Sequence, residues 1–243
     1  MATLIFMYAA LIPPLFLMWM VYRQDKVERE PVGLVLQVFL LGCIIPVPVI
    51  FVESLFESIL SIFGNGFLYQ LLENFIGVAL VEEFFKYLIL RIRIWNHKEF
   101  NYRFDAIVYA VAASLGFAAV ENIAYVFNFG IQVAFSRALL AIPGHTIFAI
   151  FMGLYLGKAK YCVYISKKEE LDPRTRNNVL ARSRHYRRLA LLVPVLLHGF
   201  YDFVLSIDGI LPALLFLAFV IIMDIISIRT VSQTGLHDTS VQD

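Results

Sequence analysis

Seven apolar stretches dominate the chain, at roughly 4–22, 32–51, 67–90, 105–127, 135–157, 189–206 and 211–228. Each approaches the ~20 residues that a helix needs to cross a hydrocarbon core. In lipid the backbone must satisfy its own hydrogen bonds, and a helix does so within a single segment. The chain is 60% hydrophobic with a mean hydropathy of +0.76, whereas soluble domains are about half apolar. The expected fold is therefore all-α and polytopic, with about seven transmembrane helices in one domain over 1–230. A polar cytoplasmic tail over 231–243 is expected to be disordered.

Charge is nearly balanced overall, at +1, but it is segregated along the chain. Arg23, Lys26 and Arg29 follow the first stretch, and Arg91, Arg93, Lys98 and Arg103 follow the third. Ten more basic residues lie between Lys158 and Arg188, and Arg229 follows the last stretch. Eighteen of the twenty basic residues thus fall on one side; Lys86 is inside a stretch and Arg137 is opposite. By the positive-inside rule the N-terminus is outside and the C-terminus cytoplasmic, in a multi-pass protein of the cell membrane. The basic loop 157–189 is explained by that topology and by anionic lipid headgroups; nothing in it indicates nucleic-acid binding. The loop 22–31 reads as a solvated turn. Pro46 and Pro48 predict a kink in the second stretch, and 52–66 reads as an outer amphipathic helix or an extension of that stretch. Two cysteines, Cys43 and Cys162, exclude a disulfide framework and a CxxC zinc site.

The third stretch carries Glu82, Glu83 and Lys86. Charges at such depth cost about 2.5–3.5 kcal/mol each on insertion scales, so they must face a protein interior or a watery cavity. One helical turn brings either glutamate to Lys86, leaving the other free. Further along stand Glu121-Asn122 in the fourth stretch, Pro143-Gly144-His145 in the fifth, and His198 with Asp202 one turn apart in the sixth. Pro143 predicts an opened backbone beside His145. Ala112, Ala113, Gly116 and Ala119 predict close helix approach. Counted from the stretch ends, both histidines fall near mid-membrane, with Glu82, Glu83, Glu121 and Asp202 further out. Any one of these residues could be a packing or ion-pair residue. Their agreement in depth marks a site instead, with a catalytic core over about 67–208. Glu82, Glu83, Glu121, His145 and His198 are its candidate catalytic residues, and Lys86, Asn122 and Asp202 support them. Asp105 and Asp224, near helix ends, read as solvated or capping.

Two histidines with carboxylates can bind zinc, His145, His198, Asp202 and Glu121 being the candidate ligands, with a spare carboxylate as general base. Without metal, a glutamate-activated water with histidines at the oxyanion performs the same hydrolysis. Either gives an endopeptidase acting on a membrane-anchored protein. The competing class is a proton- or ion-coupled transporter using the same buried groups. Carriers of that kind usually repeat their broken helices in two halves, and no second EExxK or HxxxD occurs here.

The order EExxK at 82–86, FxxxEN at 117–122, Pro-Gly-His at 143–145 and HxxxD at 198–202 resembles the PrsW family of intramembrane proteases. The segment Glu28-Arg29-Glu30-Pro31 is similar to that family's first loop. The resemblance covers nearly all of the chain to Asp208. It implies kinship with the CAAX prenyl endopeptidase and bacteriocin-processing group, whose motifs are EExxxR, FxxxH and HxxxN. Here Lys86 comes one residue earlier than their Arg, Glu121 stands in place of a His, and Asp202 in place of an Asn. The resemblance further implies site-1 cleavage of a single-pass anti-sigma factor on its extracytoplasmic side.

Overall fold

A computed structural model describes residues 2–168 and 170–242. The protein is all-α: α1 (Ala2–Tyr22), α2 (Val32–Ile44), α3 (Pro46–Leu60), α4 (Phe67–Leu72), α5 (Leu80–Ile89), α6 (Asp105–Phe129), α7 (Ile131–Leu139), α8 (Ala141–Lys168), α9 (Pro173–Leu205) and α10 (Ile210–Leu236). Among the described residues six helical segments are long and apolar enough to cross a membrane, against the seven expected: Thr3–Tyr22, Val32–Phe63, Asp105–Phe129, Ile131–Lys168, Pro173–Leu205 and Ile210–Leu236. The expected third span is not among them. Its carboxylates and cations interrupt the apolar run, and two π-helical turns, Glu73–Ala79 and Leu90–Ile94, flank α5. Such wide turns occur mostly at functional sites.

Helix α6 is the axis of the bundle. It packs against α1, α2 and α8, and every residue from Asp105 to Ala119 is buried. A helix buried on all sides needs small residues where its neighbours cross. A Cβ on Gly116 would sit 2.0 Å from the Phe39 carbonyl oxygen of α2, and one on Gly42 would sit 2.1 Å from that of Ala113. Gly153 of α8 similarly meets the backbone of Ile107. The expected small-residue seam exists, and Gly42 supplies its other half. Outward faces of α1, α2 and α10 expose Ile12, Leu40, Leu214 and Ile221, as lipid-facing surfaces should.

The helix breaks follow local chemistry. Pro46 and Pro48 end α2 at Ile44, and α3 continues almost directly, so 52–60 extends the second stretch. Pro143 does not open the backbone beside His145. It lies in the first turn of α8, where its missing N–H breaks no helical bond, and the interruption falls at Leu140, between α7 and α8. His145 is accordingly in the second turn of α8, inside the longer segment Ile131–Lys168. Asp172 caps α9 by accepting from the Arg174 and Thr175 amides at 3.0 and 3.1 Å.

Two polar regions depart from expectation. The loop 22–31 is not simply solvated, for Asp25 and Glu30 are buried beside Asp105. Asp105 is no solvated cap either: it is fully buried and accepts the Asn101 and Tyr102 amides at 2.9 and 2.6 Å. Tyr109 donates to Glu30. The segment from 231 is helical to Leu236 rather than disordered, and 237–241 docks on 101–104. The Arg103 amide donates to Thr239 O, the Val241 amide to Asn101 O, and the Phe104 amide to the Asp238 carboxylate. These carboxylates and carbonyls satisfy loop amides that would otherwise be buried unpaired.

Candidate active site

Helix α5 turns Glu82, Glu83 and Lys86 inward, and all three are buried. Its partner α9 comes close because Gly199 has no side chain. A Cβ there would stand 2.5 Å from the Phe75 ring in the π-helical turn before α5. That contact brings His198, the preceding residue, against Glu83. Helix α8 is pinned to α6 by Ser114 Oγ donating to the His145 carbonyl at 2.9 Å.

The Lys86 ammonium donates to Glu82 Oε2 at 2.9 Å and to Glu83 Oε1 at 2.8 Å. It also lies 3.2 Å from His145 Nδ1 and 4.4 Å from the centre of the Phe117 ring. Lysine can only donate, so His145 Nδ1 accepts and Nε2 carries the proton. That Nε2–H faces Glu121 Oε2 at 3.0 Å. Arg137 pairs with the same carboxylate oxygen at 2.9 Å, lies over the Tyr125 ring and donates from Nε to Asn122 Oδ1. Asn122 donates in turn to the Ala10 carbonyl. On the other side, His198 Nδ1 is 3.0 Å from Glu83 Oε1 and its Nε2 3.1 Å from Asp202 Oδ2. Carboxylates at both ring nitrogens favour the doubly protonated ring, which stacks on Phe148. The histidine rings are 5.6 Å apart. One continuous chain of charge-assisted contacts therefore runs Asp202–His198–Glu83–Lys86–His145–Glu121–Arg137.

All eight residues expected at the site come together, from α5, α6, α8 and α9. The expectation that Lys86 leaves one glutamate free does not hold; the two differ instead in burial. Both pair with Lys86, but Glu83 is fully buried and also holds His198, whereas Glu82 lines a cleft of about 510 Å³. Glu121, His145, His198 and Asp202 line that cleft too, together with Asn74, Arg137 and Ser206. Arg137 was missed as a site residue. Its signal was there, as the one cation of the charge count on the far side.

The donor set suits a metal. Glu82, Glu83 and His145 can each offer one ligand atom within 4.8 Å of the others, a carboxylate–imidazole mixture of the kind zinc accepts. Glu83 Oε2 is buried with no hydrogen-bond partner. This trio shares only His145 with the ligand set expected from sequence. The Lys86 ammonium contacts one atom of each member, so it holds the place of a cation and must move aside for an ion to share all three.

The family profile described as PrsW family intramembrane metalloprotease matches residues 30–226. The chain is 38% identical over 198 residues to the protease PrsW of Oceanobacillus iheyensis, covering 82% of this chain and 81% of that protein. It is 34% identical to the Bacillus subtilis protease PrsW, over 86% and 88% of the two chains. With the Clostridioides difficile protease PrsW it shares 33% identity, over 96% and 92%. No solved structure matches. With EExxK, FxxxEN and HxxxD folded into one buried cluster, and with these relatives matched over most of their length, the chain belongs to the PrsW family and is a multi-pass intramembrane protease.

Proposed function

We propose that the chain hydrolyses a peptide bond of a single-pass membrane protein, such as an anti-sigma factor, near the extracytoplasmic face of the bilayer. The observation that carries this reading is the cleft, which joins Glu82, Glu121, His145, His198 and Asp202 and lies beside α7 and the α9–α10 turn. In the topology that supports it, the charged helical segment 67–94 is a seventh crossing and the N-terminus is outside. The basic residues then gather at the opposite end of the bundle from the cleft. A transmembrane substrate would unwind into the cleft from its outer side.

Of the two adjacent glutamates, Glu82 is the one that lines the cleft, and it is buried enough to work out of bulk water. It takes a proton from the attacking water, with Lys86 fixing its orientation through the 2.9 Å bond. His198 donates toward the developing oxyanion when the substrate carbonyl displaces Asp202 from its ring. Zinc held by Glu82, Glu83 and His145 would polarise the carbonyl and acidify a bound water, with Glu121 left as the proton acceptor.

The deciding experiment measures metal content and cleavage of a membrane-anchored substrate on the same purified samples. About one zinc per chain, lost in Glu82→Gln and His145→Ala but kept in His198→Ala, supports the metal-assisted form. Metal-free protein that still cleaves leaves Glu82 as base in the metal-free form. A folded, fully active Glu82→Gln enzyme overturns both.

A further inference from the structure

Away from the cleft, the end of α5, the π-helical turn after it and the middle of α9 line a further cavity of about 480 Å³. Tyr87, Arg91, Arg184, Arg187, Arg188 and Leu192 line it. Four guanidinium groups therefore face one space, and no carboxylate lines it. None of the four is in an ion pair among the described residues. Arg91 Nη1 is buried without a hydrogen-bond partner. Arg91 and Arg187 both approach the ring of Trp95, at 4.5 and 5.6 Å from its centroid. Cations gathered around one space repel one another, and an anion among them offsets that repulsion.

We propose that this cavity seats the phosphate-bearing headgroup of an anionic phospholipid. The guanidinium fork matches phosphate oxygens bidentately, and basic pockets between helices at the cytoplasmic side are suited to such headgroups. A lipid rather than a free anion is indicated by the flanks. Leu192 and Leu196 on α9 and Ile92 beside Arg91 are half or more exposed, giving the acyl chains an apolar surface on both sides. The consequence reaches the active site. Arg91 lies five residues beyond Lys86, and Arg188 ten before His198, about 15 Å along the same helix. The headgroup thus ties the segment just beyond α5, which carries the EExxK residues, to the middle of α9, which carries the HxxxD residues.

The test uses the full chain purified in neutral detergent, with retained lipid measured by native mass spectrometry and thermal unfolding followed on adding phosphatidylglycerol, phosphatidylcholine or inorganic phosphate. Phosphatidylglycerol is expected to be retained and to raise the unfolding temperature, and phosphatidylcholine is not. Arg91→Gln/Arg187→Gln should weaken phosphatidylglycerol binding at least tenfold, while Arg174→Gln/Arg176→Gln, which removes two charges from the start of the same helix, should not. Arg91→Lys/Arg187→Lys keeps the charge and loses the fork, so it supplies a foldable comparison that should still bind severalfold more weakly. Equal loss in the Arg174/Arg176 variant would show general surface electrostatics and overturn the site. Undiminished binding in Arg91→Gln/Arg187→Gln overturns it as well, and inorganic phosphate protecting as strongly as the lipid overturns the lipid assignment.

Discussion

Replacing Lys86 with methionine keeps the volume of a fully buried side chain and deletes its charge. Lys86 is 1% exposed and bonds to two carboxylates that are themselves 6% and 0% exposed. Removing one partner of a buried ion pair costs about 3–5 kcal/mol, because the remaining charge stays desolvated. Here two carboxylates are stranded. Glu83 retains His198 at 3.0 Å, which offsets part of its loss, so Glu82 bears most of the cost and the total stays near that range. Unfolding in a denaturant series in detergent micelles gives the value. The informative comparison is a double-mutant cycle, since Glu82→Gln removes the charge that Lys86→Met leaves unpaired. The double variant should be more stable than the single Lys86→Met variant by about 1–3 kcal/mol. Lys86→Met also removes the ammonium that competes with a metal ion for Glu82, Glu83 and His145, so zinc affinity should rise rather than fall. A loss under about 1 kcal/mol, or strictly additive effects of the two substitutions, would refute the claim that Lys86 neutralises the glutamate pair.

Burial lifts the Glu30 carboxyl from 4.5 to about 7. Between those values the folded state keeps a proton that the unfolded state has released, so this contribution to stability is fully present below about 4.5 and is lost as pH rises through about 7. Glu30→Gln should flatten that part of the stability profile from pH 5 to 8; an unchanged slope in thermal melts would rule the assignment out. Gly116→Ala forces a Cβ to 2.0 Å from the Phe39 carbonyl oxygen and should cost about 1–3 kcal/mol or more by parting α2 from α6, whereas a neutral melt would mean the helices do not cross there. Asn122→Ala removes the acceptor of Arg137 Nε and the side-chain donor to the Ala10 carbonyl. It should destabilise by about 1–3 kcal/mol and make a cysteine placed at Ser136 label faster; unaltered labelling would show that α7 is held by other contacts.

Much of the site could be read from residue order, because an ionisable group in an apolar stretch is costly enough to need a reason. That argument alone selected Glu82, Glu83, Lys86, Glu121, His145, His198 and Asp202, and the helical period put either glutamate within reach of Lys86. It could not choose between the glutamates. The choice rests on a contact 115 residues away, His198 to Glu83, which no local pattern encodes. Pro143 misled for the opposite reason: the residue has one chemistry, but its effect depends on whether the helix has already begun, and α8 begins only two residues earlier.

The amino-acid sequence by itself determined the all-α membrane class and the identities of the polar groups, since hydropathy and helical period are local properties. It also determined the charge asymmetry, and with it the expectation that basic residues gather at one end. Tertiary structure decided what those groups do to one another. Close crossings at Gly42, Gly116, Gly153 and Gly199 set which helices touch. Those contacts make Lys86 the donor to three acceptors, bring Arg137 back onto Glu121, and bury Asp25, Glu30 and Asp105 beneath a docked tail. Long-range approach governs desolvation, and desolvation separates a buried carboxylate that holds structure from one that meets a substrate.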